Sequence, residues 1–466
     1  MTARRAVSVA VPMAAAVVCG ALYVALSLIR FGRMEVASYD NAIFEEAIRG
    51  YAGGGWPIVP IKGPGFNLLG DHFSPAIATI APFYRLFPHA ETLLVAQAAL
   101  IAVSVFVVAS VGVRALGVGW GSVVAVAYGL SFGLQSGVVA GFHEVALGVP
   151  LLALAGGAFV ERRYSAVIGW SLPLLLVKED LGLTVAAVGG ALFLVGERRR
   201  GMMLAGIGAA ATAVVVLVLI PWARGDDSGY AYSLGGDGLL ATLADEPGRK
   251  ALTVLLTLAV GGIVAVASPW VLVAVPTLAW RFAADNPYYW GTDWHYSLLL
   301  MPVMAMAAID VMQRIVWVRP VALAGMAIVT TLAIVPNSVV ASPLVHYLSP
   351  DALQPTEREQ AGERVLDLIP AGATVESDIG LINHLVADGR VVTWIGTDPP
   401  LPGPSGAAGG APSVDRAPEW IVLDHDPASN IGSPPDAVEF AEQRHGVEYE
   451  TVLQADPFQV ARRASP

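Results

Sequence analysis

Apolar residues fall along this chain in long unbroken runs, and the polar residues gather in the gaps between them. The runs lie near 8–30, 92–113, 117–138, 144–160, 164–177, 181–195, 201–222, 250–267, 269–282, 296–313 and 320–341. About 20 apolar residues in a helix cover a hydrocarbon core of about 30 Å. The pattern therefore predicts an all-α polytopic membrane protein with about eleven transmembrane helices. The stretch from Tyr164 to Val195 would overshoot the bilayer as one helix of about 32 residues and would bury Lys178, Glu179 and Asp180 at its middle. Two short or re-entrant helices meeting at that triplet are expected instead. A turn at Ser268-Pro269 is expected on parity, because without it Arg314 and Arg319 change sides.

After about Ser342 the pattern becomes that of a small α/β domain. Glu357 to Leu368 predicts an amphipathic helix, Gly380 to Val386 a helix turn, and Thr374 to Glu376, Val391 to Ile395 and Trp420 to Asp424 strands. The Pro/Gly/Ala-rich stretch within 397–418 predicts a flexible loop. The expected organisation is a transmembrane region, 1–341, that includes a first external loop at 31–91, followed by a C-terminal domain, 342–466.

Composition agrees with the pattern. With 55% apolar and 14% charged residues and a mean hydropathy of +0.62, the chain lacks the charge that a soluble surface requires. The net charge of −11 is concentrated in the tail, where residues 351–466 hold 19 acidic and 7 basic side chains. Such a tail excludes nucleic acid as a partner. The one cysteine, Cys19, lies inside the first run, so no intrachain disulfide is possible. That run continues past the cysteine to Ile29, which favours an uncleaved anchor over a lipoprotein signal.

The densest arginine groups are Arg114, Arg162 with Arg163, Arg198 to Arg200, and Arg314 with Arg319. The positive-inside rule puts these loops and the N-terminus in the cytoplasm and the C-terminal domain outside. Arg30 and Arg33 run against this orientation. On the external side it gathers five polar clusters: Asp40; Asp71-His72; His143-Glu144; Lys178-Glu179-Asp180; and Asp293-Trp294-His295-Tyr296.

Ionisable groups at a membrane rim suggest function by default. Each cluster also has a plain structural reading, as a loop acid, a helix-terminal group, an ion pair or an interfacial aromatic belt. Two chemistries suit the set. A carboxylate such as Asp40 is suited to act as general base on an acceptor hydroxyl while Lys178 and a histidine hold a departing phosphate. Alternatively, Asp71, His72, His143, Glu144 and His295 are candidate ligands for a divalent metal, although their spacing matches no known metal motif. No Gly-Lys-Ser/Thr follows the glycines at 53–55 and 63–65, which excludes a phosphate-cradling P-loop.

Several motifs in order resemble a family of predicted bacterial multi-pass membrane proteins, a domain of unknown function. They are Tyr39-Asp40-Asn41, Gly53-Gly54-Gly55-Trp56-Pro57, Gly70-Asp71-His72-Phe73-Ser74-Pro75, Ala81-Pro82-Phe83-Tyr84, Phe142-His143-Glu144, Val177-Lys178-Glu179-Asp180 and Trp294-His295-Tyr296. The resemblance runs from about residue 35 to 315 and continues weakly into the tail. That family in turn resembles the class C (GT-C) glycosyltransferases, which carry a catalytic Asp just after the first span, where this chain has Asp40. The resemblance implies transfer of a sugar from a polyprenyl-phosphate donor in the membrane lipid to a glycan, lipid or protein acceptor at the extracytoplasmic face. Asp40 would be the base and Lys178 and His295 the phosphate holders. Asp71, His72, His143, Glu144, Glu179, Asp180, Asp293 and Tyr296 would line the site. Many such enzymes carry paired acids at the first position, whereas here Asn41 follows Asp40. A transporter or lipid flippase that uses the rim charges as a relay, and a non-catalytic scaffold, are the rival readings.

Overall fold

The structure is a computed structural model that describes residues 3–35, 38–225, 238–336, 338–347, 349–397, 417–426 and 433–464. Most of the expected flexible loop at 397–418 lies outside the described residues. The chain forms two compact units. The first comprises Met1–Ser27, Leu69–Ile77 and Leu94–Ser349, and the second Leu28–Leu68, Ala78–Leu93 and Pro350–Pro466.

Each apolar run becomes a helix where the pattern places one, but the runs differ in length. Among the described residues, five helices are long and apolar enough to cross a membrane: Ser8–Gly32, Ala90–Leu116, Val118–Val139, Arg198–Arg224 and His295–Arg314. Glu144–Val160, Tyr164–Leu176, Leu181–Leu194, Pro269–Ala283 and Val316–Leu332 are apolar but shorter. Of the eleven runs expected to cross, five are thus of membrane length among the described residues and the others form shorter helices, some of them bounded by proline or glycine. Tyr164–Ser171 tightens into a 3₁₀ turn at Leu172–Leu176, which holds Pro173, and Leu181–Leu194 begins only after Lys178-Glu179-Asp180. The two short helices expected around that triplet are present. Pro247–Val260 stops before Gly262, whose φ of +62° and close approach to Ala322 leave no room for a side chain; a Cβ there would lie 2.3 Å from the Ala322 carbonyl oxygen.

Within the first unit, Glu144–Val160 packs against both Ala90–Leu116 and His295–Arg314, with Gly157 beside Val111 and Gly156 beside Met306. At their starts, the Gln97 side-chain oxygen accepts a hydrogen bond from the His143 backbone N–H (3.1 Å), and the rings of His143 and His295 stack. At their far ends, Arg114 and Arg163 each reach Glu161 at 2.6 Å. Arg314 there pairs with Asp310 at 2.8 Å, and the Ser268 hydroxyl bonds to the same carboxylate at 2.7 Å. The Ser268-Pro269 turn thus lies beside Arg314. The interior between the two ends is apolar, with Met301, Val303, Met306 and Ile309 fully buried.

The second unit is built on a five-stranded sheet: β1 (Thr374–Ser377), β2 (Val391–Trp394), β3 (Trp420–Asp424), β4 (Tyr449–Ala455) and β5 (Phe458–Arg463), in the order β2-β1-β3-β5-β4. The first three strands are parallel, and β5 and β4 add an antiparallel hairpin. The expected helix Glu357–Leu368 is present with a capping box from Thr356 and Glu359. Most of the first loop, which the hydropathy pattern assigns to the transmembrane region, belongs to this unit. Asn383 ties helix Asp40–Ala52 into it by accepting from the Ala42 N–H at 2.8 Å and donating to the Ser38 carbonyl at 2.6 Å. Tyr39 stacks on Trp394, and Phe31 on His384.

Candidate functional site

Four of the five polar clusters meet at one end of the first unit. Lys178 follows the 3₁₀ turn before Leu181–Leu194, and its Nζ donates to Glu144 Oε1 at 2.6 Å. Both side chains are buried, so each neutralises a charge that the surroundings cannot solvate. The next residue, Glu179, is also buried; its Oε2 accepts the Phe73 backbone N–H at 3.2 Å, and its Oε1 lies 3.9 Å from His72 Nδ1. Asp71 approaches the other ring nitrogen of His72 at 3.5 Å. The His143 ring packs on His295 with centroids 3.5 Å apart, and His295 lies against Tyr296 at 4.2 Å.

Lys178, Asp180, His295 and Tyr296 line a small cleft of about 20 Å³ bounded by Val145, Thr277, Trp280 and Leu299. That is about the space of a single water molecule. Asp293, expected to line the site, is exposed and lies outside the lining.

The charges here are displaced from their ordinary behaviour. Burial, reinforced by Glu179 and Glu144 and opposed by Lys178, pushes the Asp180 carboxyl up to about 7. Its Oδ1 is sealed from solvent with no hydrogen-bond partner among the described residues. Glu179 is held below the usual carboxylate range: burial opposes this, but the charge of Lys178 and the contact with His72 outweigh it. His72 moves up, since its contacts with Glu179 and Asp71 outweigh burial and the repulsion of Lys178.

The metal set read from the sequence is not assembled. Among the described residues no three His, Cys, Asp or Glu side chains are grouped as a cation requires. Glu144 is engaged by Lys178, and the rings of His143 and His295 are stacked on each other.

Asp40 belongs to the second unit, at the first position of helix Asp40–Ala52, where its carboxylate accepts a hydrogen bond from the Ser38 hydroxyl. Glu45 and Glu46, one turn and more along that helix, are buried and have structural partners. Glu45 accepts from the Tyr84 hydroxyl at 2.8 Å and Glu46 from the Ile61 N–H at 3.1 Å. Burial pushes Glu46 up to about 8.

Three residues of the first unit support the cleft and were not singled out from the sequence. Gln97 also donates to the Gly137 and Gly141 carbonyls at 3.0 and 2.8 Å and so fixes the turn that carries His143. Arg281 is fully buried and donates to the Tyr289 carbonyl at 2.7 Å and the Gly291 carbonyl at 2.5 Å, clamping the loop that delivers His295. Just before His295, Trp294 takes a left-handed φ of 65°, a conformation that persists only when its surroundings enforce it. Arg224 donates to the Gly70 carbonyl at 2.9 Å, and a Cβ on Gly70 would lie 2.7 Å from the Arg224 backbone, so the glycine before Asp71 is a packing requirement. A lone polar or cationic residue inside an apolar run was the available signal for Gln97 and Arg281.

A family described as Predicted membrane protein (DUF2079) matches residues 30–456. The chain belongs to this family. The DUF2079 match covers all the clusters of the cleft, and it extends through the tail, well past the region around 35–315 where the motifs lie. The family description names a membrane protein and no activity, so membrane location is established and the glycosyltransferase likeness is not. No curated protein matches the chain.

Proposed function

We propose that this DUF2079 member is a membrane glycosyltransferase of GT-C type, taking a sugar from a polyprenyl-phosphate donor. What supports the reading is the cleft in which Lys178, His295, Tyr296 and Asp180 share one opening. A lysine and an imidazole there offer charge-assisted hydrogen bonds to a phosphate, whose negative charge grows as the sugar departs. Glu144 positions Lys178 and competes for it, so donor binding weakens or strengthens with that carboxylate. Asp40 is the base by resemblance alone, acting on an acceptor hydroxyl. In this reading the N-terminus is cytoplasmic, and the cleft and the C-terminal sheet are extracytoplasmic.

The test is binding of polyprenyl phosphate to the purified full-length protein. Lys178→Ala is expected to weaken it, Glu144→Gln to strengthen it and Asp40→Asn to leave it unchanged. Absence of binding under every condition removes the reading. Reporters fused after Arg114, Arg200 and Ser342 test the orientation, which fails if the Ser342 fusion reports a cytoplasmic location.

A transporter with a proton relay is the second reading. It is favoured by Asp180, whose pKa is pushed up to about 7, and which lies at the same end of the unit as His72, whose imidazole is shifted upward by Glu179 and Asp71. Proton uptake into proteoliposomes that is lost in Asp180→Asn, together with absence of lipid-phosphate binding, selects this reading.

A further inference from the structure

At the opposite end of the first unit from the cleft, a groove of about 340 Å³ opens among the helices Ser8–Gly32, Ala90–Leu116, Glu144–Val160 and Tyr164–Leu176. Val107, Val111 and Leu154 form its walls, and Trp170, 40% exposed, lies at its side. Arg114 and Arg163 stand at its mouth with their side chains more than half exposed. Both share the single carboxylate of Glu161, and the neighbouring Arg162 bonds to the Tyr164 hydroxyl, so the mouth carries excess positive charge.

The length of the groove narrows the choice of occupant. From Phe106 to Arg114 along one helix is about 12 Å at 1.5 Å per residue. That is most of one leaflet, about 15 Å or half of a 30 Å core. A free phosphate would use only the mouth, and a neutral lipid would leave the two arginines with the one carboxylate of Glu161 between them. We propose that this groove binds an anionic glycerophospholipid, its phosphate on Arg114 and Arg163 and one acyl chain along Val107, Val111 and Leu154. Basic pockets between membrane helices bind anionic headgroups by the same combination of charge and apolar wall. The site is independent of the cleft and of the activity proposed for it.

The experiment is native mass spectrometry of the full-length protein with phosphatidylglycerol or phosphatidylcholine of identical acyl chains. Retention of phosphatidylglycerol roughly tenfold above phosphatidylcholine is expected. The double variant Arg114→Gln, Arg163→Gln should abolish the preference, and Glu161→Gln, which removes the competing carboxylate, should increase it. Leu154→Trp narrows the groove without touching the arginines and should reduce retention of phosphatidylglycerol. Equal retention of the two lipids by the wild type overturns the proposal. So does a preference that survives both the double variant and Leu154→Trp. If the double variant fails to fold, Glu161→Gln and Leu154→Trp decide on their own.

Discussion

The two ends of the helical unit use similar residues in opposite ways. At the arginine end, Arg114, Arg163 and Arg200 pair with Glu161 and Glu197, with much of each arginine in solvent. At the cleft end, Lys178 pairs with Glu144 and Glu179 faces His72, and the carboxylates are almost completely buried. An exposed pair gives up little hydration and gains little, whereas a buried pair is held together by the cost of leaving either partner alone. The Lys178–Glu144 distance is as short as those at the arginine end, yet it means something different. One set marks where loops meet water, and the other fixes the shape of a cleft.

The sharpest way to break that contrast is Lys178→Ala. It leaves Glu144 buried without its partner and is expected to cost about 3–5 kcal/mol of stability, read as a large fall in melting temperature. The paired substitution Lys178→Met, Glu144→Leu should recover most of that loss while leaving lipid-phosphate binding absent. A single variant as stable as the wild type would show that the pair is not sealed.

A smaller effect is expected from pH. A carboxyl whose folded pKa is raised favours the folded state most at low pH, and that stabilisation fades as pH rises from the unfolded value near 4 through the folded one. For Asp180, at about 7, the window ends just above neutrality. Wild-type melting temperature should therefore fall as pH rises from about 4 to about 7, and Asp180→Asn should flatten the slope. The smallest effect belongs to the arginine end, where Arg200→Ala should change stability by about 0.2–1 kcal/mol, within the scatter of most thermal-shift measurements.

The positions of the helices were legible because hydropathy reports burial in lipid or core without reference to partners. Their lengths were not, since Pro173 and Gly262 act through local geometry that a count of apolar residues ignores. Four of the five clusters come together because Lys178 reaches Glu144, Glu179 reaches the Asp71-His72 loop, and His143 stacks on His295, contacts that span-by-span reading of the sequence does not supply. The grouping of Asp40 with the sheet was not legible. It depends on Asn383, more than 300 residues away in the chain, bonding to Ser38 and Ala42. The hairpin of β4 and β5 was also missed; in β4, exposed residues such as Glu450 and Gln454 alternate too irregularly to read as a strand. The supporting roles of Gln97 and Arg281 required knowing which backbone carbonyls the folded loops leave to be bonded.

The division of the chain has a consequence for biogenesis. The second unit draws residues 28–68 and 78–93 from near the start of the chain and 350–466 from its end, with Leu94–Ser349 synthesised in between. At about 5–20 residues per second, the ribosome takes on the order of 10–50 s to pass that interval. Throughout it, helix Asp40–Ala52, with Glu45 and Glu46 on its buried side, waits without the Asn383 that will hold it. A chain truncated before the sheet is therefore expected to leave the early loop without the partner it packs on, an orphaned half-domain rather than a smaller working protein.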